Sequence, residues 1–211
     1  MEKKVSKAVL KRLPGYLTYL KSTQDQESPY ISATSLANAL GMGEVQVRKD
    51  LASVSDGGRP KIGYLRESLI DDIEQFLGYD NTTDAVLIGA GKLGQALMDH
   101  KGFDEYGLNI LAGFDVNPVT TVTDDGKPIY SMDKLESFCR ANKILMGIIC
   151  VPASHAQEVC DKLIACGIKA IWTFATVHLE VPSHILVQYE NMATSLAVLS
   201  MHLQAHIKEK K

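Results

Sequence analysis

Gly89, Gly91 and Gly94 stand in the spacing G-x-G-x-x-G within the stretch AVLIGAGKLGQAL, residues 85–97. The spacing carries chemistry only where a buried strand enters it and a helix leaves it. Here an apolar run precedes it and a helix-forming segment follows. In that setting the first glycine permits a sharp turn. The second lets a pyrophosphate approach backbone N–H groups, and the third lets the helix pack close to the strand. The loop Gly89, Ala90, Gly91, Lys92, Leu93 and Gly94 is therefore the expected phosphate cradle, with the field of a helix N-terminus in its favour. A second strand, NILAGFD, ends at Asp115, where a carboxylate can accept from both ribose hydroxyls and repels a 2′-phosphate. Val116 follows, with no arginine to welcome that phosphate, so NAD(H) is favoured over NADP(H). The competing role for Asp115 is to satisfy a turn at the strand end. Val151, Pro152 and Phe174 fall at the carboxyl ends of later strands and are expected to line the nicotinamide side.

A second constellation lies upstream. In ISATSLANALGMGEVQVRKDLASV, Ala37, Gly41 and Val47 stand at offsets of 0, 4 and 10. A helix-turn-helix needs a small residue where its helices cross. It also needs a turn residue tolerant of positive φ and an apolar anchor in its second helix. The outward residues of that second helix are Gln46, Arg48 and Lys49. Glutamine can pair with adenine and arginine with guanine in the major groove, while Lys49 is better placed for phosphate. VSDGGRPKIGYL then reads as a thin ribbon with Arg59 and Lys61 at its tip. Behind such helices it is a wing suited to a minor groove. Alone it would be a surface hairpin with two solvated charges.

The elements that must hold these groups follow from periodicity. Val5, Val9, Leu10, Leu13, Leu17 and Leu20 mark one helical face, which Pro14 is expected to kink or split. Ser32 or Thr34 can cap the next helix. RESLIDDIEQFLGY forms a linking helix with Leu69, Ile73, Phe76 and Leu77 inward, and a turn-rich boundary falls at residues 78–83. Strands and helices then alternate: PIY, SMDKLESFCRAN, a strand KILMGIICVP ending at Val151-Pro152, SHAQEVCDKLIACG, KAIWTFA and ILVQYEN. The tail repeats Met192, Leu196, Leu199, Leu203 and Ile207 at helical spacing and ends in lysines that suit the helix dipole. The expected fold is α/β. A winged helix-turn-helix domain over 1–80 precedes a Rossmann-type doubly wound parallel sheet over 81–192 and a C-terminal helix over 193–211, which can dock on its own domain or serve as a dimerisation helix against a partner chain.

Bulk properties agree with a two-part molecule. Of 211 residues, 1–66 carry 11 Lys+Arg against 6 Asp+Glu, while 67–211 carry 11 against 19. A basic module joined to an acidic body fits a polyanionic partner for the first. No apolar run spans a bilayer and no secretory signal is legible, so the expected location is cytoplasmic, without membrane association. Cys139, Cys150, Cys160 and Cys166 show no zinc spacing, and no metal is expected.

In order and spacing, RLPGYL (12–17), QVRKDL (46–51), the Gly63-Tyr64 pair, IGAGKLGQAL (88–97), KGF (101–103), FDVNP (114–118), VPASHAQEV (151–159), ACGIKAIW (165–172) and VPSHILVQYEN (181–191) resemble the Rex family of bacterial redox-sensing transcriptional repressors. The likeness runs nearly the full length. It implies a homodimer that binds double-stranded DNA at an inverted-repeat operator when NAD+ prevails. It also implies that NADH closes the dimer and releases the DNA, and that the C-terminal helix reaches across to the other subunit. The resemblance assigns DNA recognition to Gln46, Arg48 and Lys49, the wing to Arg59 and Lys61, and the nucleotide to Gly89–Gly94 and Asp115. The chain departs from the family pattern at Thr18, at His100 and in a shortened segment after Asn191, positions that the resemblance places in a polar network linking nucleotide to dimer closure. Two other readings stand beside this one. One is an NAD-dependent dehydrogenase, for which His155 and His178 are the acid–base candidates by location, although no separate substrate domain is left. The other is a DNA-binding regulator answering a different ligand or thiol oxidation.

Overall fold

A computed structural model of the chain describes residues 5–23 and 28–209, and Lys210 and Lys211 of the basic tail lie outside the described residues. The chain divides into two compact units between Asn81 and Thr82.

In the first unit, α1 (Lys7–Ser22) is one continuous helix through Pro14, so of the kink or split expected there the split does not occur. Proline removes the ladder bond to the Leu10 carbonyl, but Leu10 lies on the exposed side. Leu13, Tyr16, Leu17 and Leu20 are buried on both sides of the interruption and hold the helix down. β1 (Tyr30–Ile31) leads into α2 (Ala33–Ala39), capped by Ser32, whose Oγ accepts from the Ser35 N–H at 2.9 Å. Gly41, at φ +64°, turns the chain into α3 (Glu44–Val54). Ala37, Val47 and Leu51 are buried together in this unit's core. β2 (Tyr64–Leu65) returns antiparallel to β1. α4 (Arg66–Leu77) then buries Leu69, Ile70 and Ile73 and stops at Gly78, φ +74°. Phe76 and Leu77, expected on that buried face, are only half-buried against it.

The second unit is a six-stranded parallel sheet. Its strands are β3 (Thr83–Ile88), β4 (Leu108–Asp115), β5 (Ile129–Ser131), β6 (Met146–Ile149), β7 (Ala170–Thr173) and β8 (Leu186–Tyr189), in the spatial order β5-β4-β3-β6-β7-β8. The strand order reverses between β3 and β6, which opens a crevice at their carboxyl ends. β3 is covered on both faces, hence its unbroken apolar run, with Ala85, Val86 and Leu87 fully buried. α5 (Lys92–Met98), α6 (Leu135–Asn142) and α7 (Ala153–Ala165) follow their strands. One core lies on the face of Val86, Ile88, Phe114 and Leu163. The other lies on the face of Leu87, Met98, Ile110 and Ile148. β6 ends at Ile149, two residues before the expected Val151-Pro152 end. Pro152 has no N–H to give a ladder and instead stands at the N-cap of α7.

α8 (Met192–Glu209) closes the chain. Met192, Leu196, Leu199, Leu203 and Ile207 are each more than half exposed, so this apolar stripe is not covered by the described residues of its own chain. Among the described residues no helix is long and apolar enough to cross a membrane.

Candidate functional site

The outer side of α3 carries the residues expected to read DNA. Val47, Asp50 and Leu51 point inward, which leaves Gln46, Arg48 and Lys49 exposed. Arg48 forms an ion pair with Glu44 one turn earlier, so its guanidinium is restrained on the helix surface. Val45 is also exposed, in the first turn.

Asp50 is the residue that sequence spacing leaves unexplained. It is 3% exposed, an acid on the buried face of α3. Its carboxylate accepts from Arg12 Nε at 2.7 Å, Arg12 Nη2 at 2.9 Å and the Tyr16 hydroxyl at 2.7 Å. A buried charge of this kind is tolerated only when paired and hydrogen-bonded. The hydrogen bonds it donates to Asp50 hold the Arg12 guanidinium above the usual arginine range. Burial, reinforced by Asp50, pushes the Tyr16 phenol up to about 12. The inward phase shared by Val47, Asp50 and Leu51 was the available signal: an acid at a core position demands a cation from elsewhere.

The ribbon is shorter than expected. Arg59 and Gly63 exchange N–H···O bonds of 2.9 Å in both directions, forming a single antiparallel bridge. The turn is closed by the Ile62 N–H on the Arg59 carbonyl at 3.2 Å, and Lys61 takes a left-handed φ of +66°. Lys61 is therefore at the tip and Arg59 at the root; both are exposed. Gly63 cannot be replaced, because at φ +94° a Cβ would sit 2.3 Å from the Ile31 carbonyl oxygen.

In the second unit the three glycines face different surroundings. Gly89 has φ +98°, and a Cβ there would meet the Cys150 backbone at 2.8 Å. At Gly94 a Cβ would lie 2.1 Å from the Gly89 carbonyl oxygen, which gives the closeness of α5 to the loop. Gly91 faces open space, with nothing within 4 Å of a built Cβ. Ala90 and Gly94 are buried, while Lys92 and Leu93 are exposed.

A crevice of roughly 290 Å³ opens at the carboxyl ends of β3, β4 and β6, and it brings together Gly89, Gly91, Asp115, Val116, Val151 and Pro152. Asp115 is half-buried. Its Oδ1 accepts from the Asn117 N–H at 3.0 Å, so it does satisfy a turn, while Oδ2 has no partner among the described residues. The wall also contains His155, a candidate by location in the dehydrogenase reading, together with Met132 and the ion pair Lys162–Glu158 (Nζ–Oε1 2.8 Å), which the sequence did not mark. A phase count along α7 from Pro152 would have found the ion pair, since 155, 158, 159 and 162 share one face.

Phe174 is a correction. It was grouped with Val151 and Pro152, yet it does not line this crevice. Val151 packs on one face of the sheet, whereas Phe174 packs on the other, 4.9 Å from the Trp172 ring. Strand alternation sends residues 172 and 174 to the same side, away from the crevice wall. The two histidines are also separated, because His178 stacks on Tyr189 at 5.6 Å and does not line the crevice with His155. All four cysteines are free thiols. Burial pushes Cys139 and Cys150 up to about 12 and Cys160 to about 11, and it also raises Cys166. Groups so shifted are poor thiolates at neutral pH. No cluster of three metal-ligating side chains occurs among the described residues.

Comparison with known proteins bears on both units. Residues 4–52 match the family model described as "Putative DNA-binding protein N-terminus", and residues 80–177 match that of the CoA binding domain. The redox-sensing transcriptional repressor Rex of Porphyromonas gingivalis is 38% identical over 200 residues, covering 94% of this chain and 92% of that protein. The crystal structure of RSP in complex with β-NAD+ and operator DNA is similar at a TM-score of 0.87 and 34% identity, covering 98% of this chain and 96% of that one. The structure of RSP with β-NADH is similar at 0.85 and 33% identity, covering 98% and 99%.

Proposed function

This chain belongs to the Rex family of redox-sensing transcriptional repressors, and we propose that it represses transcription by binding operator DNA in a manner set by the NADH/NAD+ ratio. The observation that carries the reading is the union, in one chain, of a basic face on α3 with a glycine-lined crevice at the strand-order reversal. RSP, similar over 98% of this chain, is bound to operator DNA and β-NAD+ in one structure and to β-NADH in another. The same membership argues for a regulator and against the dehydrogenase alternative.

In this reading Arg48 and Lys49, with Gln46, address one half of an inverted repeat, and Lys61 and Arg59 address the adjoining groove. The open approach at Gly91 suits a pyrophosphate on loop N–H groups, and the unpartnered Oδ2 of Asp115 suits a ribose hydroxyl. The residues present therefore fit a dinucleotide whose ribose carries no 2′-phosphate. When bound, the nicotinamide supplies a charge that depends on its redox state, cationic when oxidised and neutral when reduced. Apolar walls, to which Val151 and Pro152 contribute, disfavour the cation. That difference in affinity is what a population shift requires: moving an equilibrium from 1:99 to 99:1 takes roughly 10⁴-fold discrimination.

The working form is a homodimer, with the uncovered stripe of α8 packing on a second copy. The location is the cytoplasm, where the DNA partner lies. A thiol trigger is disfavoured, since burial holds the thiols protonated. Calorimetry with NADH, NAD+ and NADPH tests the nucleotide assignment: NADH is expected to bind and NADPH to fail. Tight NADPH binding would remove Asp115 from the selection.

A further inference from the structure

Gln46 was read above as a partner for adenine, a pairing in which the carboxamide must both accept from N6 and donate to N7. Its surroundings in the structure remove half of that ability. The Gln46 carboxamide faces the Arg12 guanidinium, which has only N–H groups to offer. Both groups find partners only with the carboxamide oxygen turned toward Arg12, where it accepts from Nη1 at 3.1 Å and shares Nε–H at 2.9 Å. Arg12 is not free to turn away, because Asp50 holds it by two hydrogen bonds and is 3% exposed. Tyr16 donates to the same carboxylate and is fully buried. Gln46 itself is exposed, on the outer face of α3.

We propose that Arg12 is a positioning residue that turns Gln46 into a donor-only reader, one that selects guanine over adenine in the major groove. The held oxygen is occupied by the guanidinium, which leaves the NH2 group to face the DNA. Guanine presents two adjacent acceptors, N7 and O6, to such a group. Adenine presents one acceptor beside an N6 donor, which would be left opposing another donor. The inference rests on the reading of α3 as the DNA-facing helix.

The test is selection by the full-length protein, supplied with NAD+, from a duplex library randomised across an inverted repeat. The wild type is expected to enrich guanine over adenine by about tenfold or more at one base pair in each half-site. Gln46→Leu should lose that preference and keep the others. Arg12→Lys retains a cation for Asp50 but lacks Nη1, so it should admit adenine at the same base pair as the freed oxygen becomes an acceptor. A merely structural role for Arg12 would lower enrichment at every position alike. Adenine chosen by the wild type at the position that depends on Gln46 overturns the inference alone, as does an unchanged base profile in Gln46→Leu. If the wild type enriches no sequence at all, the repressor reading falls and the inference with it.

Discussion

The two units hold their reading groups in opposite ways. In the first, the proposed readers are exposed side chains on α3, and a buried acid beneath them, Asp50, ties the helix to α1 through Arg12 and Tyr16. In the second, the proposed reader is backbone. The loop after β3 keeps its shape because two glycines leave no room for a side chain, while a third stands open to whatever approaches. The first unit should therefore be sensitive to charge and tolerant of small steric change. The second should be sensitive to a single methyl group, and only at certain positions.

The largest effect that would sharpen this contrast is expected within the glycine motif itself. Gly94→Ala places a Cβ against the Gly89 carbonyl and should destabilise the second unit by about 4 kcal/mol or prevent its folding. Gly91→Ala meets nothing and should leave stability within about 0.5 kcal/mol of wild type while weakening NADH binding. Thermal unfolding and a coenzyme titration read both, and equal behaviour of the two variants would break the contrast. Next comes Asp50→Ala, which strands Arg12 and should cost the first unit about 3 kcal/mol. In denaturant titrations it should abolish operator binding yet leave NADH affinity unchanged. An unaltered denaturation midpoint would show that the buried network does not stabilise the helix pair.

Arg48→Ala and Asp115→Ala form a reciprocal pair of smaller effects. The first should weaken specific operator binding by about 1–3 kcal/mol without touching NADH affinity. The second should do the reverse, lowering NADH affinity by about tenfold, near 1.4 kcal/mol. Full operator affinity in the Arg48 variant, or undiminished NADH binding in the Asp115 variant, would remove that residue from its role. The smallest effect is a pH dependence. Tyr16 keeps its proton to about 12 in the folded chain against an ordinary 10. Its contribution is thus complete below pH 10 and is lost as pH rises toward 12, at about 1 kcal/mol between pH 10 and 11. Tyr16→Phe should flatten that slope in alkaline denaturation, and an unchanged slope would assign it to other groups.

Much of the architecture was legible because it depends on local patterns. The apolar run before Gly89 announces a strand covered on both faces, and the offsets of Ala37, Gly41 and Val47 announce a helix pair. What escaped was long-range or depended on phase. Arg12 and Asp50 are 38 residues apart, so no local spacing joins them, although an acid in phase with Val47 and Leu51 signals a buried pair. Lys162 and Glu158 were passed over because the segment was read only as a helix and not for the face it turns to the crevice. Pro14 was expected to kink or split α1, and the split does not occur. Tertiary burial of Leu13 and Leu17 on either side outweighs one missing hydrogen bond, and propensity alone could not show that. Phe174 was misgrouped because β6 and β7 end in register at Ile149 and Thr173, but Val151 lies two residues beyond its strand and Phe174 one, so the two emerge on opposite faces of the sheet.

The central claim is that the crevice of one unit governs the affinity of the other. Fluorescence anisotropy with a labelled inverted-repeat operator, titrated at fixed total coenzyme while the NADH:NAD+ ratio is raised, measures it directly. Operator affinity should fall steeply as the reduced form comes to dominate. A binding curve that does not move between pure NAD+ and pure NADH would contradict the account.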